Sequence, residues 1–308
     1  MAILPGVLAA SRSALLEEYT GAVAAFSTRQ ISRAYTGYAM KVREGSGMNY
    51  EADVSFDASG NVSLTSPIAN LTGGSGATLG DFVSSSDAFC TLWYDQSGEG
   101  NNATQSTAGA QPKIVSSGTV VNQGGIPVVD FDGSDDGLTI ADTADLSFTD
   151  GSGTDTPAAF FVAHNLNELS SGNTLISKDA GGSAREWAWF FDGSDQRFYI
   201  KSGGGGNQQS ADDDDTATGW HLASLLYSGN ESYSGMQFYR NGAASTMDDT
   251  LSQTYSGMSN TSSTVLIGNR YTGACISTEI AEIVIYKTDQ AATRAGIETA
   301  INTHYSIY

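Results

Sequence analysis

Clustered carboxylates are the first residues in this chain whose spacing could support chemistry. The segments "DFDGSDD" at 130–136 and "ADDDD" at 211–215 each place several aspartates in a short stretch. Oxygen ligands within one loop suit Ca²⁺, but neither segment has the D-x-D-x-D-G spacing with a distal glutamate that marks a calcium loop. We therefore expect no metal site and interpret both segments as solvated acidic loops, with aspartate as a turn residue. A Ca²⁺ site in these loops is the alternative.

Nucleophilic catalysis and phosphate binding have little support in the sequence. His164 and His221 fall in strand-like runs and His304 falls in the last helical segment, with no G-x-S-x-G motif nearby. The segment "KSGGGGN" at 201–207 lacks the order of residues that defines a phosphate-binding loop. We expect structural histidines, no catalytic residues and no cofactor.

Aromatic residues beside polar loops are the remaining candidates. Trp187 and Trp189 share one face of a strand by period-two alternation. An aromatic ring next to Asp, Asn and Gln can stack on a sugar while the polar groups bind its hydroxyls. The alternative for each ring is a place in the core. The tyrosines that border polar loops are Tyr199, Tyr227, Tyr233, Tyr255 and Tyr271.

The composition excludes several classes of partner. The chain has 308 residues and a formal net charge of −20, with 14 Lys plus Arg against 34 Asp plus Glu. Such a surface repels nucleic acid and anionic membranes, because binding to phosphates depends on Lys and Arg. No segment approaches the roughly 20 apolar residues of a membrane helix. We expect neither a nucleic-acid partner nor membrane insertion, and we interpret Cys90 and Cys275 as buried free thiols rather than a disulfide.

The pattern of elements indicates an all-β fold. Short β-branched and aromatic runs recur, such as "AAFFVAH" at 158–164, each bounded by Gly, Ser, Asn or Asp. Asp192-Gly193 and Asn241-Gly242 predict tight hairpin turns. After the first 21 residues, helical spacing appears near the end, where Asp289 can cap a closing helix. These signals predict a β-sandwich with a C-terminal helix.

The first residues predict an N-terminal arm rather than a secretory signal. The start "MAILPGVLAASRSALLEEY" has no basic region before its apolar run, and Pro5 and Arg12 interrupt that run. We expect a helix from about Leu8 to Tyr19. The predicted organisation is a docking arm at 1–21 and one sandwich domain at 22–308, with the apolar side chains of the arm facing a partner or the sandwich.

The stretch "WYDQSGEGNNATQ" at 93–105 stops an aromatic strand abruptly. Asp95 and Ser97 can bond the backbone of their own turn, and the following glycines permit the reversal. We interpret the stretch as a turn that defines the fold. A ligand role for Gln96, Asn101 or Asn102 stays open as the alternative.

Two blocks carry a resemblance to known families. "AAFSTRQISRAYTGYAMKVREGSG" (24–47) and "FCTLWYDQSGEGNNATQ" (89–105) resemble the start of the catalytic domain of family-54 α-L-arabinofuranosidases, which are concanavalin-like sandwiches. Together with "GIPVVDFDGSDDGL" (125–138) and the ending from 279 to 308, they look even more like the concanavalin-like or laminin-G-like modules of phage virion proteins. The resemblance implies a concanavalin-like antiparallel β-sandwich, or jelly roll, over residues 22–308.

The family-54 resemblance implies a test for enzymatic activity. Retaining glycosidases need a nucleophilic carboxylate and an acid/base carboxyl about 5–5.5 Å apart. By order along the chain, Asp192 and Asn269 stand where that family holds these two groups. An asparagine cannot donate a proton as a carboxylic acid does, and Asp192 begins a hairpin turn. We therefore expect no glycosidase activity.

The sequence as a whole favours a non-enzymatic virion structural protein: a tail fibre, capsid decoration or host-adhesion module. The arm would bind other virion proteins, the sandwich would bind host polysaccharide, and the chain would form a homo-oligomer, for which trimers are frequent in such appendages. A secreted carbohydrate-binding protein or arabinofuranosidase-like hydrolase is the alternative. The expected ligand site lies in loops at one end or on the concave face of the sandwich, and its residues are Trp187, Asp192, Asn269, Arg270 and Tyr271.

Overall fold

The computed structural model describes residues 14–169, 173–193, 195–203, 207–213, 217–271 and 273–308, with side chains at all of these positions except 248 and 249. Antiparallel strands are the main regular structure of the described chain, and helices are few. No helix within these ranges is both long and apolar enough to cross a membrane.

The strands of the first half of the chain are mostly short. They are β1 Ala22–Ser27, β2 Met40–Glu44, β3 Glu51–Val54, β4 Ile68–Ala69, β5 Ala88–Trp93, β6 Ala103–Thr104, β7 Lys113–Ser116, β8 Thr119–Val120, β9 Asn122–Gln123, β10 Ile126–Pro127, β11 Val129–Asp132 and β12 Leu138–Ile140.

The strands of the second half are longer, and three α-helices accompany the sheet. The strands are β13 Ala158–Leu166, β14 Asn173–Asp179, β15 Arg185–Asp192, β16 Asp195–Lys201, β17 Gln208–Asp213, β18 Gly219–Tyr227, β19 Met236–Arg240, β20 Ala243–Ala244, β21 Met247–Ser252, β22 Val265–Ile267 and β23 Ser277–Tyr286. The helices are α1 Leu15–Glu18, α2 Leu79–Val83 and α3 Arg294–Tyr305.

The sheet divides into two branches at β5. One branch runs from β7 through β11, β23, β13 and β18 to β19, and β1 also pairs with β23. The other runs from β6 through β12, β22, β14, β15, β16 and β17 to β21. The strands that pair are antiparallel throughout, so the predicted antiparallel β-sandwich is confirmed.

Aromatic side chains join the two branches in the main core. Phe160 of β13 lies with its ring centroid 5.2 Å from that of Trp187 on β15 and 6.1 Å from that of Trp189. Phe148 closes the same cluster, with its centroid 5.3 Å from Trp187. All four rings are buried, and large rings in contact contribute strongly to the stability of a sandwich core.

A second core lies on the other side of the first branch, under the C-terminal helix. Ile297 and Ile301 of α3 pack there with Phe161 of β13 and with Leu15 of α1. The described end of the N-terminal arm therefore packs on the sandwich, and residues 1–13 lie outside the described residues. The expected cap at Asp289 is wrong, because its carboxylate accepts the backbone N–H of Ala291 in the turn that precedes α3.

The predicted hairpin at Asn241-Gly242 is confirmed, since Arg240 pairs with Ala243 and both intervening residues have positive φ, 52° and 80°. The other hairpin is shifted by one residue. Asp192 is still in the strand, where it pairs with Asp195, and Gly193 takes the positive φ of 71°.

The interpretation of 211–215 as a solvated acidic loop is wrong for residues 211–213, which belong to β17. The sequence "QQSADD" lacks the apolar alternation that marks a strand. It is nevertheless paired on both sides, with β16 and with β21, and Asp212 and Asp213 are buried. Cross-strand partners stabilise this strand in place of apolar contacts.

Candidate functional site

Strand β15 presents two different faces. Trp187, Trp189 and Phe191 belong to the main core, whereas Ala188 and Phe190 belong to a separate small cluster on the opposite face. Trp187 is fully buried, and its Nε1 donates a hydrogen bond to the carbonyl oxygen of Leu146 at 2.9 Å. The expectation that Trp187 stacks on a ligand is therefore corrected: its ring is part of the core.

The opposite face, which we call the outer face, is built by register across four strands. Phe190 pairs with Arg197, which in turn pairs with Asp212, and the neighbouring row aligns Ala188, Tyr199 and Ser210. Residues directly opposite one another on paired strands lie on the same face of a sheet. The outer face of β14 to β17 comprises Ser177, Asp179, Ala188, Phe190, Arg197, Tyr199, Lys201, Ser210 and Asp212.

Most side chains of this face are buried, and its apolar side chains form a cluster of their own. Ala188, Phe190 and Tyr199 form an apolar cluster that no apolar side chain from another described element joins. Guanidinium groups lie over it instead: that of Arg270 lies 5.0 Å from the centroid of Phe190, and that of Arg197 lies 6.0 Å from the same ring. Cations over aromatic faces are attracted by the ring quadrupole.

At one end of the outer face, which we call the Arg197 end, two carboxylates share one arginine. The Nε of Arg197 donates to Asp212 Oδ2 at 2.7 Å, and its Nη1 lies 3.1 Å from Asp192 Oδ2. Asp212 is buried, while Asp192 and Arg197 are partly exposed. One arginine therefore bridges two carboxylates here.

At the other end a single carboxylate lies among several cations. Asp179 is buried and accepts hydrogen bonds from the hydroxyl of Tyr199 and from the backbone N–H of Gly181, and Arg185 Nε lies 3.3 Å from its Oδ1. The ammonium of Lys201 lies 5.2 Å from the centroid of Tyr199. Burial, together with the positive charges of Arg185 and Arg270, lowers the pKa of Lys201.

The loop after β22 brings three predicted site residues to this face. Ser177 donates to the backbone carbonyl oxygen of Asn269 at 3.4 Å, and Asn269 Oδ1 accepts the N–H of Arg270 at 2.6 Å. Tyr271 is 42% exposed and lies under the guanidinium of Arg185, which also donates to its hydroxyl. The structure thus brings Asn269, Arg270 and Tyr271 to the outer face, with Arg270 over Phe190. Asp192 lies with Arg197 at the opposite end of that face, and Trp187 lies in the core.

Sequence reasoning missed Arg185, Arg197 and Lys201. The last two alternate with Tyr199 along β16, so the period of two was a usable signal for their common face. Arg185 carried no such signal, because its position depends on a register irregularity between β14 and β15.

A hollow of about 190 Å³ adjoins the Arg197 end of the outer face. Its walls come from β16, β17 and β21, and they combine charged, polar and apolar side chains. The residues that line it are Arg197, Gln208, Ser210, Asp212, Thr250 and Leu251.

The turn interpretation of "YDQSG" is confirmed. Asp95 is buried and accepts the N–H and hydroxyl of Ser97 at 2.9 and 2.7 Å, the N–H of Asn101 at 2.9 Å and the N–H of Ala25 in β1 at 2.8 Å. Gln96 Oε1 accepts the N–H of Ile31 at 2.9 Å. These polar groups bond the backbone of distant strands, as expected of a turn that defines the fold.

The acidic loop at 130–136 places carboxylate oxygens of Asp132, Asp135 and Asp136 within 4.8 Å of one another. Asp132 accepts the N–H of Ser134 at 2.8 Å, which confirms its role as a turn residue. Asp136 is buried, and burial with the nearby carboxylates raises its pKa to about 6. This carboxyl group is therefore not the fully solvated one that the sequence indicated.

His164 is buried in the sheet opposite His221, with 6.2 Å between the ring centroids. Burial, and the neighbouring His221 ring, lower the pKa of His164 to about 3. It is therefore neutral at physiological pH, which is consistent with a structural histidine.

Comparison with known proteins gives similarity in structure without similarity in sequence. No family model and no curated protein matches the chain. A family-54 α-L-arabinofuranosidase soaked with a cyclic sulfate inhibitor has a TM-score of 0.56 at 14% identity, over 93% of this chain and 64% of that one. An arabinofuranosidase complexed with arabinofuranosyl-α-1,2-xylobiose has a TM-score of 0.50 at 14% identity, with the same coverage.

Binding domains of toxins are also similar, at lower scores. The binding domain of Paraclostridial Mosquitocidal Protein 1 has a TM-score of 0.48 at 12% identity, over 69% of this chain and 50% of that one. This chain thus spans about two thirds of the arabinofuranosidase structures that it resembles. The similarity defines the class of fold: a large β-sandwich of the kind found in the family-54 arabinofuranosidases.

Proposed function

We propose that this protein is a non-enzymatic carbohydrate-binding module that holds its ligand on the outer face. The observation that carries the proposal is the chemistry of that face, where charged side chains lie over aromatic rings and no other apolar side chain of the described residues joins the cluster. Tyr271 offers a partly exposed ring for stacking on a sugar, and arginine forks can bond sugar hydroxyls. The adjoining hollow supplies a concave surface of the kind that small ligands occupy.

A hydrolase is the second candidate, because the arabinofuranosidase fold favours it. The carboxylates of the outer face argue against this activity. Asp179, Asp192 and Asp212 each form an ion pair with an arginine, whereas the acid of a retaining glycosidase must carry a proton. We therefore expect no hydrolysis of aryl arabinofuranosides by the wild-type chain. If the wild-type chain hydrolysed these substrates and Asp192→Asn abolished the hydrolysis, the non-enzymatic proposal would be wrong.

Within this proposal, the particular setting is a virion protein that displays the sandwich as a fibre, decoration or adhesion module. Its support is the resemblance of the sequence to phage modules. Electron microscopy of a particle that carries the chain is the direct test. If deletion of residues 1–20 left incorporation into the particle unchanged, the docking role of the arm would be wrong.

The binding proposal is tested on a glycan array with the full chain in multivalent display. A single site of this type binds with a Kd nearer to about 1 mM than 1 μM, so multivalency is needed for a signal. We expect Tyr271→Ala to abolish binding. Tyr308→Ala is the matched control, because Tyr308 is 52% exposed and lies at the C-terminus beside Gly242. Equal binding by the two variants would place the ligand elsewhere.

A further inference from the structure

Two cations at one end of the outer face, the buried Lys201 and the partly exposed Arg270, form no ion pair with a carboxylate of the described residues. Lys201 is 9% exposed, and within the described residues no carboxylate lies within salt-bridge distance of its ammonium. Arg270 has no ion pair with a described residue either, and its Nε is buried without a hydrogen-bond partner. A buried polar group without a partner is costly, so its presence needs an explanation.

Buried cations elsewhere in the chain show the usual solution. Lys178 lies 2.8 Å from Asp142 and 3.3 Å from Glu186, and Arg29 Nε lies 2.7 Å from Glu282. The chain has 34 acidic residues, so carboxylates are not scarce. The absence of one beside Lys201 is therefore a property of this site rather than of the composition.

The nearest carboxylate is already occupied. Asp179 binds the hydroxyl of Tyr199, the N–H of Gly181 and the guanidinium of Arg185. Lys201 lies over Tyr199 and Arg270 lies over Phe190, and the centroids of these two rings are 5.8 Å apart. With Arg185, which pairs with Asp179, the described residues place three cations and one carboxylate at this end of the face, which leaves an excess of positive charge. An anion bound between Lys201 and Arg270 would supply the missing partner.

We propose that the ligand of the outer face is an acidic sugar, whose carboxylate or sulfate group binds between Lys201 and Arg270. This inference rests on the proposed carbohydrate-binding function and names its ligand class. A guanidinium fork and an ammonium together suit a planar carboxylate or a sulfate ester. Tyr271 lies beside Arg270 in sequence and offers its exposed ring to the sugar that carries the acid.

The net charge of −20 limits the type of acidic glycan. A long polyanion is repelled by the rest of the surface, whereas an isolated acidic sugar within a neutral chain is repelled much less. The site therefore fits a sparsely charged glycan better than a densely sulfated one or a nucleic acid.

The experiment compares galactose, galacturonic acid and galactose 6-sulfate by NMR titration of the full chain. We expect both acidic sugars to bind at least tenfold more tightly than galactose, and this preference to be lost in Lys201→Gln and in Arg270→Gln. Lys113→Gln is the matched control, because Lys113 also lies over an aromatic ring, 5.6 Å from the centroid of Phe89, but is paired with Asp87 at 2.9 Å. A preference for only one of the acidic sugars would show whether the site recognises the carboxylate or the sulfate group.

A second measurement tests the anion site without a sugar. Inorganic sulfate should raise the Tm of the wild type and of Lys113→Gln more than that of Lys201→Gln, relative to sodium chloride at equal ionic strength. Equal binding of galactose and the acidic sugars would overturn the anion site while leaving carbohydrate binding intact. Stabilisation by sulfate that depends on Lys201, without binding of any sugar, would support the anion site and contradict the carbohydrate proposal. No effect of Lys201→Gln in either measurement would overturn the inference.

Discussion

Replacing Asp95 tests whether the "YDQSG" turn joins distant strands or is only a local reversal. Its carboxylate accepts two hydrogen bonds from Ser97, one from the N–H of Asn101 and one from the N–H of Ala25 in β1. Asp95→Ala leaves the buried N–H of Ala25 without this acceptor. A hydrogen bond to a charged group contributes about 1.5–3 kcal/mol, and an unsatisfied buried donor costs about 1–3 kcal/mol. We expect the free energy of unfolding to fall by about 3–5 kcal/mol.

Asp150 provides a matched control for this change. It accepts the N–H and hydroxyl of Ser152 at 2.7 Å each and the N–H of Thr154 at 3.1 Å, so its local pattern is nearly that of Asp95. Asp150 is exposed and makes no bond to a distant strand in the described chain. Asp150→Ala should therefore change stability much less than Asp95→Ala.

The assay is urea denaturation followed by tryptophan fluorescence, because Trp93 is buried and its Nε1 donates to the carbonyl oxygen of Ser27 at 3.3 Å. Asp95→Asn should give an intermediate loss, since one oxygen remains to accept the N–H of Ala25. Equal shifts of the denaturation midpoint for Asp95→Ala and Asp150→Ala would refute the reasoning, because the bond to β1 would then contribute nothing.

Further predictions concern three buried groups. Lys178→Met leaves Glu186 without its cation and should lower the free energy of unfolding by about 3–5 kcal/mol, and Lys178→Met with Glu186→Leu should recover most of this in urea denaturation. The pKa of Asp136 is raised to about 6, so its protonation favours the folded state, and that stability is lost as pH rises through 6. Between pH 4 and pH 7 this group should change the free energy of unfolding by at most about 3 kcal/mol, and Asp136→Asn should remove that change, as measured by the midpoints of urea denaturation. Burial raises the pKa of Cys90 to about 12 and that of Cys275 to about 11, so neither thiol should react with a colorimetric thiol reagent at pH 8 until the protein is unfolded in guanidinium.

Each of these has a clear contrary result. If the double variant at 178 and 186 were as unstable as Lys178→Met, packing rather than an uncompensated charge would explain the loss of stability. Identical pH profiles for the wild type and Asp136→Asn would contradict the raised pKa. Rapid labelling of a thiol in the folded state would contradict the burial of both cysteines.

Local chemistry made much of the fold predictable from the sequence. Asn241 and Gly242 both adopt positive φ readily, so the hairpin at these residues depends little on the rest of the fold. Asp95 and Ser97 bond within their own turn for the same local reason. The buried free thiols Cys90 and Cys275 also follow expectation. Strand β17 was missed, because its stability comes from partners on β16 and β21 rather than from its own residues.

The candidate site depended on packing that the sequence could not reveal. The run "WAWFF" at 187–191 in β15 is apolar on both faces, so alternation separates Trp187 from Phe190 but does not say which of them faces the core. The sequence by itself determined an acidic antiparallel β-sandwich with a closing helix, because strand alternation, turn residues and charge are local properties. Only the tertiary structure brought Lys201 on β16 and Arg270 after β22 over the neighbouring rings of Tyr199 and Phe190, because strands that are distant in sequence meet there through sheet register and loop packing.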